Sequence, residues 1–294
     1  MSGAFDNCTS VTPQCPVEAT TYGYTPNLAG NVILLAVFAA CNIAQVFLGI
    51  WYRLWAFGIV VSIGCLCEWL GYIGRVMMHS NPWDDVGFKI QIVCLIIAPS
   101  FLAAGIYLTL KHIIMALGPE YSRLQPKYYT WIFISCDALS IVIQAVGGGI
   151  AASSDGSAAD TGANIMVAGI AIQVATMAIC VLLAIDFAWA VFRSTKSSGA
   201  SSDGASFEKP HQSYSTTKGF YFYLICTSLA FLFIFIRCIY RLPEMAGGWG
   251  NKLMQNETEF LVLDGAMIAL ACILMSVAHP GMFFPDMRTK KRQT

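Results

Sequence analysis

The stretch AFGIVVSIGCLCEWLGYIGRVM, Ala56–Met77, decides the fold class. A helix that crosses a bilayer needs about 20 mainly apolar residues, and this segment supplies them with no period-two alternation of a barrel strand. Its polar residues are few and ordered. Glu68, Tyr72 and Arg75 fall at i, i+4 and i+7, along one face of a helix. Charges inside membrane helices are expensive, so a glutamate and an arginine on one face mark a functional candidate or a structural pair.

Six further stretches of the same kind lie at Leu28–Ile50, Gly87–Leu110, Tyr128–Ile150, Ile165–Val191, Phe220–Ile239 and Phe260–Ala278. Turn residues mark several breaks, among them Asn81-Pro82, Gly118-Pro119 and Gly247-Gly248. The composition agrees: of 294 residues, 56% are hydrophobic and 12% charged, where a globular protein has about 25% charged. A disordered chain is excluded, and 17 basic against 17 acidic side chains leave no excess for a nucleic-acid binder. The expectation is an all-α membrane protein of seven transmembrane helices.

Lysine and arginine set the orientation. With the N-terminus outside, twelve of the seventeen fall on the inner side, and neither the tail before Leu28 nor the expected outer loop Ala151–Asn164 holds any. The reading is an extracellular or lumenal tail over 1–27, a seven-helix domain over 28–278 and a basic cytosolic tail over 279–294. Two glycosylation triplets, at Asn7 and Asn256, fall on the same outer side. Cys8 and Cys15 are the cysteines outside the spans, and an oxidising lumen would let them pair. The other nine cysteines are read as small packing residues. No cleavable signal peptide is expected. Residues 194–217, rich in Ser and Gly, read as a flexible cytosolic loop that could hold a cytosolic partner. Trp51, Trp55, Tyr128, Tyr129, Trp131 and Trp189 form an inner aromatic belt, with Trp83 and Trp249 outside.

Depth sorts the polar residues. Glu68, Arg75, Gln91, Gln144, Gln173, Arg237, Arg241, Glu244, Glu259 and Asp264 all project to the outer half of the spans, while Asp137 lies near mid-depth and Asp186 at the inner edge. That distribution implies a partly hydrated vestibule opening outward. The signs balance, so Arg75, Arg237 and Arg241 can face Glu68, Glu244, Glu259 and Asp264. The competing account is structural: polar contacts between membrane helices are often fastenings worth about 0.6 kcal/mol each. Glycines 64, 71, 74, 147, 148 and 149 are assigned to close helix approach, and Ala98-Pro99 to a kink in the third span.

Catalytic chemistry finds little support. His79, His112, His211 and His279 scatter over both faces and no pair sits at i, i+4, so a zinc site is not expected. There is no Gly-x-Ser-x-Gly elbow and no phosphate loop. Neither a metal nor a cofactor is implied, and the chain is not expected to be an enzyme.

Glu68-Trp69-Leu70-Gly71-Tyr72-Ile73-Gly74-Arg75 resembles the second-span signature of the fungal lipid-translocating exporter family, the group named for resistance to aminocholesterol. The likeness continues through Gln91, Ala98-Pro99, Ala103 and Tyr107, then Asp137, Ser140, Gln144 and Gly147-Gly148-Gly149. It resumes at Gly169, Gln173, Arg237, Tyr240-Arg241, Glu244, Gly247, Glu259, Asp264 and His279-Pro280-Gly281, and covers about residues 22 to 285. The resemblance implies a seven-helix protein of the plasma membrane or endomembranes, associated with export of sphingoid long-chain bases, lipid asymmetry or resistance to sterol-like toxins. One branch of the family is linked to porphyrin movement.

Two functions follow. A translocator would set the amine of a lipid among Glu68, Asp137, Glu259 and Asp264 while the tail stays in the bilayer. Asp137, deepest and without an obvious basic partner, is then the proton-linked group. A seven-helix receptor or sensor of lipid asymmetry shares the topology and would depend on the inner loop.

Overall fold

The computed structural model describes residues 8–153, 157–198, 218–248 and 250–284. Seven helices in it are long and apolar enough to cross a membrane. They are α1 Leu28–Tyr52, α2 Trp55–Ser80, α3 Asp85–Leu117, α4 Pro126–Ser153, α5 Ser157–Ser198, α6 Lys218–Ala246 and a seventh span, Glu257–Phe283. Among the described residues the extended pairing is a single bridge, Thr12 with Cys15.

Local chemistry sets the helix starts. Asn27 caps α1 by accepting from the Gly30 amide at 3.0 Å, and Asp84 caps α3 through the Val86 amide at 3.1 Å. Pro126 opens α4, at a position where its missing N–H is no loss. Between α1 and α2 the chain turns on Arg53, whose left-handed φ of 56° lets its N–H close onto Gly49 and Ile50.

α3 is the central helix, with 67% of its most apolar window buried against 22% for α1. The core around it joins Phe38, Val61, Cys65, Leu102, Ile234, Ile268 and Cys272. Large apolar side chains such as Ile43, Phe47, Leu182 and Phe192 stand exposed on the outside, as a lipid-facing belt requires. Trp51, Trp55, Trp131 and Trp189 are exposed with them. Tyr129 departs from the expected belt: it is buried, and its hydroxyl accepts from Ser122 Oγ at 3.1 Å.

Three expectations are corrected. Most of Ala151–Asn164, expected as a loop, is helix, since α4 runs to Ser153 and α5 starts at Ser157. In residues 151–153 and 157–164 glycines bring the two helix backbones together. A Cβ on Gly147 would lie 2.4 Å from Met166 N, and one on Gly162 would lie 2.4 Å from Ala151 N. Within the glycine triplet only Gly147 has this role, because Gly149 would meet nothing within 4 Å. The start of the segment 194–217, expected as a flexible loop, is helix, as α5 runs to Ser198. Residues 199–217, Asn7, Trp249 and the basic run 288–292 lie outside the described residues.

Candidate functional site

The polar face of α2 divides between two clusters. Arg75, fully buried, donates from Nε to Asn31 Oδ1 at 2.8 Å and from Nη2 to Tyr24 Oη at 3.1 Å, and it pairs with Glu257 Oε1 at 3.3 Å. Its guanidinium lies 4.1 Å from the centroid of the Phe260 ring and 5.4 Å from that of Tyr22. Gln91 Nε2 donates to Tyr22 Oη at 2.8 Å. The N-terminal tail is thus folded over this end of the bundle. A disulfide joins Cys8 to Cys15, and the tail is tied to the α2–α3 turn by Asn81 Nδ2 to the Thr9 carbonyl and Trp83 Nε1 to the Cys15 carbonyl. Burial pushes the Tyr22 and Tyr24 phenols above their ordinary range, with Arg75 pulling the other way, so both stay un-ionised at neutral pH and accept as neutral hydroxyls.

The second cluster lies deeper. Arg237 Nε pairs with Asp264 Oδ1 at 2.9 Å, and Arg241 Nη1 pairs with Glu244 Oε2 at 2.7 Å. Arg241 Nε stands 3.9 Å from the same Asp264 oxygen, so one aspartate serves two arginines. Arg237 Nη2 also donates to the Leu95 carbonyl. That carbonyl is available for a simple reason. Its helical partner would be the amide four residues on, which is Pro99, and proline has no N–H. Proline in α3 therefore builds the site, a consequence that the expected kink did not contain. Asp264 sits in a π-helical segment, Phe260–Ala266, of the kind often found at functional sites.

Two carboxyls have no such partner. Glu68 is fully buried and neither of its oxygens accepts a hydrogen bond, although Arg237, Arg241 and Asp264 form its charged surroundings. Asp137, 2% exposed, has no cation in contact, and its carboxyl faces the Tyr107 hydroxyl and Cys180. Beside them Gln144 Nε2 donates to Gln173 Oε1 at 3.1 Å, and Ser140 Oγ to the Asp137 carbonyl at 2.8 Å. The ring of Tyr72 stacks on Phe38 at 5.3 Å while its hydroxyl is buried without a partner.

The structure therefore gathers Glu68, Arg237, Arg241, Glu244 and Asp264, places Gln144 and Gln173 next to Arg241, and sets Arg75 with Gln91 and Tyr107 with Asp137 apart. Glu259 is corrected: its carboxylate takes Asn256 Nδ2 at 2.8 Å while Asn256 Oδ1 accepts the Glu259 amide, a reciprocal cap with no arginine in it. The carboxylate on Arg75 is Glu257 instead. Asn31, Tyr22, Tyr24 and Glu257 escaped the sequence reading. The signal for them was that a buried arginine needs a carboxylate, and Glu257 lies in the same short turn as Glu259. An outward-opening vestibule is not seen among the described residues. The arginines and carboxylates are packed shut, around a cavity of ≈ 10 Å³ lined by Ile96, Gln144, Ile170, Gln173, Arg237, Cys238 and Arg241, room for about one water. Burying this many charges is tolerable because each arginine has its counter-charge at hand.

Among the described residues no group of three or more His, Cys, Asp or Glu is placed to hold a metal. His279 is buried between Tyr52 and Phe57, and its Nδ1 accepts from the Gly281 amide at 3.2 Å.

Comparison with known proteins covers these same elements. The chain is 34% identical to the sphingoid long-chain base transporter RSB1 of Saccharomyces cerevisiae, over 98% of its own length and 82% of that protein. It is 28% identical to Protein RTM1 of the same yeast over 79% of this chain and 69% of the other, and 28% identical to its protoporphyrin uptake protein 1 over 75% and 67%. No solved structure matches. The family described as RTA1 like protein matches residues 61–287, a range that starts in α2 before Glu68 and runs past His279. The polar face of α2, Pro99, the α4 stripe and the arginines of α6 all fall within that range, and the chain belongs to the RTA1-like family.

Proposed function

We propose that this protein moves sphingoid long-chain bases, or amphiphiles like them, across the membrane in which it sits. The observation that carries this reading is the uneven pairing of buried charge. Arg75, Arg237 and Arg241 each have a carboxylate, whereas Glu68 and Asp137 have no cation in contact. A buried carboxyl without a partner is costly. The ammonium of a long-chain base is the group that would repay that cost, by a charge-assisted hydrogen bond in a low-dielectric site. The likeness to a sphingoid long-chain base transporter supports the same ligand class, and sterol-like toxins with a basic group would fit it.

Without a phosphate loop the chain has no nucleotide-driven motor of its own, so uphill export draws on an ion gradient or a partner, with Asp137 as the proton-linked group. We place the N-terminus and Asn256 outside and the protein in the plasma membrane. Thr258→Ala tests that placement, because it breaks the glycosylation triplet and leaves the Asn256 cap intact. The variant should lose one of the glycan-sized shifts that enzymatic deglycosylation removes, with Asn7 still able to carry the other.

The central test uses purified protein in sealed liposomes with a fluorescent sphingoid base added to one leaflet. Protein-dependent flux should fall at least about tenfold in Glu68→Gln and Asp137→Asn. Both variants should keep their thermal stability, since an amide in place of an unpaired carboxyl removes a burial cost. Unchanged flux in both would reject the reading. A packed bundle with no open passage also suits a receptor. Saturable lipid binding without flux, with a cytosolic partner that is lost on deletion of the segment between Ser198 and Lys218, would establish that alternative.

A further inference from the structure

The seven spans are fastened to one another unequally. α4 and α5 meet backbone to backbone at Gly147 and Gly162, and Gly169 would place a Cβ 2.6 Å from Gln144 Cγ, so they form a single hairpin. The other five are joined by further close approaches and by buried polar pairs. A Cβ on Gly58 would lie 2.9 Å from Gly49 Cα, and one on Gly74 would lie 2.5 Å from the Gly87 carbonyl, which locks α1 to α2 and α2 to α3. Gly265 lets the seventh span sit against Tyr72 of α2, and the Asp264 pairs tie it to α6.

The seam between the hairpin and this five-helix group is well packed along α3 and α6 but carries few polar ties. Thr130 Oγ1 donates to the Tyr107 carbonyl at 3.0 Å, Tyr107 packs on Phe133, and Gln173 Nε2 reaches Cys238 Sγ at 3.8 Å, a weak acceptor. Of the many buried polar atoms without a hydrogen-bond partner, the seam holds Gln144 Oε1 and Arg241 Nη2. The small cavity lies in it, lined from α3, α4, α5 and α6 together. Unsatisfied buried groups are rare enough in native proteins that each calls for a cause. A surface that parts to admit a polar ligand is one.

We propose that the α4–α5 hairpin moves as one body against α3 and α6, and that the seam it opens is the path of the lipid headgroup. This rests on the translocation reading and adds the route, the moving part and the headgroup class. Two stations lie on α4. Gln144, with Gln173 and Arg241, offers an acceptor and donors suited to hydroxyl groups. Asp137, seven residues away on the same face and about 10 Å along the axis, suits an ammonium. The headgroup that uses both is an amino alcohol, with its hydrocarbon tail passing out through the parted seam into the bilayer.

The native cysteines test this without a substitution. Cys238 lines the cavity, whereas Cys65 and Cys272, 3.7 Å apart, lie inside the five-helix group. Protein in the flux liposomes is alkylated with N-ethylmaleimide, and each cysteine is followed by peptide mass spectrometry. Cys238 should react at least about tenfold faster than Cys65 and Cys272, because local opening sets the rate of each. A sphingoid base should slow Cys238, and a ceramide, whose amine is acylated, should not. If flux is present but Cys238 reacts no faster than Cys65, or the base leaves its rate unchanged, the seam is not the route and the translocation reading stands. If flux is absent, that reading fails and this one with it.

Discussion

Arg237 is held by two acceptors of different origin, the carboxylate of Asp264 on the seventh span and the Leu95 carbonyl that Pro99 leaves free. Removing it leaves an uncompensated Asp264 in the bundle. Arg237→Met should therefore cost about 3–5 kcal/mol, read from thermal or denaturant unfolding in detergent. Reversing the signs with Arg237→Asp and Asp264→Arg should recover only part of that loss, because the new aspartate would face the Leu95 carbonyl oxygen, acceptor against acceptor. Full recovery would show that the carbonyl contact contributes nothing. The residues with unpaired carboxyls behave oppositely: Glu68→Gln and Asp137→Asn hold stability and lose flux. Stability and transport are in this way separable residue by residue within a single polar cluster.

At the scale of the element, the helices were legible because lipid demands long apolar runs, and the interior of every span was found from hydropathy alone. The ends were not. Residues 157–164 carry Ser, Asp, Thr and Gly, which read as a loop, yet they are helical because Gly162 admits the α4 backbone. Gly162→Leu should splay the hairpin and cost at least about 1–3 kcal/mol. Gly149→Leu, into open space, should stay within about 0.5 kcal/mol. The contrast is checked on one unfolding assay. The π-helical segment was also invisible to hydropathy, since an extra residue per turn leaves composition unchanged. Deleting Val262 should restore α-helical geometry, rotate Asp264 by about 100° away from Arg237 and abolish flux. Intact flux would mean that the π geometry is incidental.

For the molecule as a whole, the sequence marked these candidates as polar or charged groups that lipid cannot solvate, and the structure buries most of them in separate clusters. Composition could not say which charge pairs with which. Glu257 rather than Glu259 serves Arg75, a choice made by the register of a single capping turn. Nor could it foresee that the tail supplies Tyr22 and Tyr24, since nothing apolar or charged marks them as partners. Opening the tail by Tyr24→Phe together with Glu257→Gln should strip Arg75 of two partners and lower the unfolding temperature. It should also speed hydrogen exchange at residues 8–26 ahead of the rest.

The length of α5 has a practical use. Its 42 residues make a rod of about 63 Å, twice the ~30 Å of the hydrocarbon layer. A rod that long extends beyond the hydrocarbon layer, and its end at Ser198 is followed in the described structure by the start of α6 at Lys218. Grafting a compact soluble domain between those two helices, each fused without a break in helical register, would give a 32.0 kDa protein a fiducial for single-particle imaging. The graft would also fix the tilt of α5 to a visible object, so that particle images sorted with and without lipid would read hairpin motion directly.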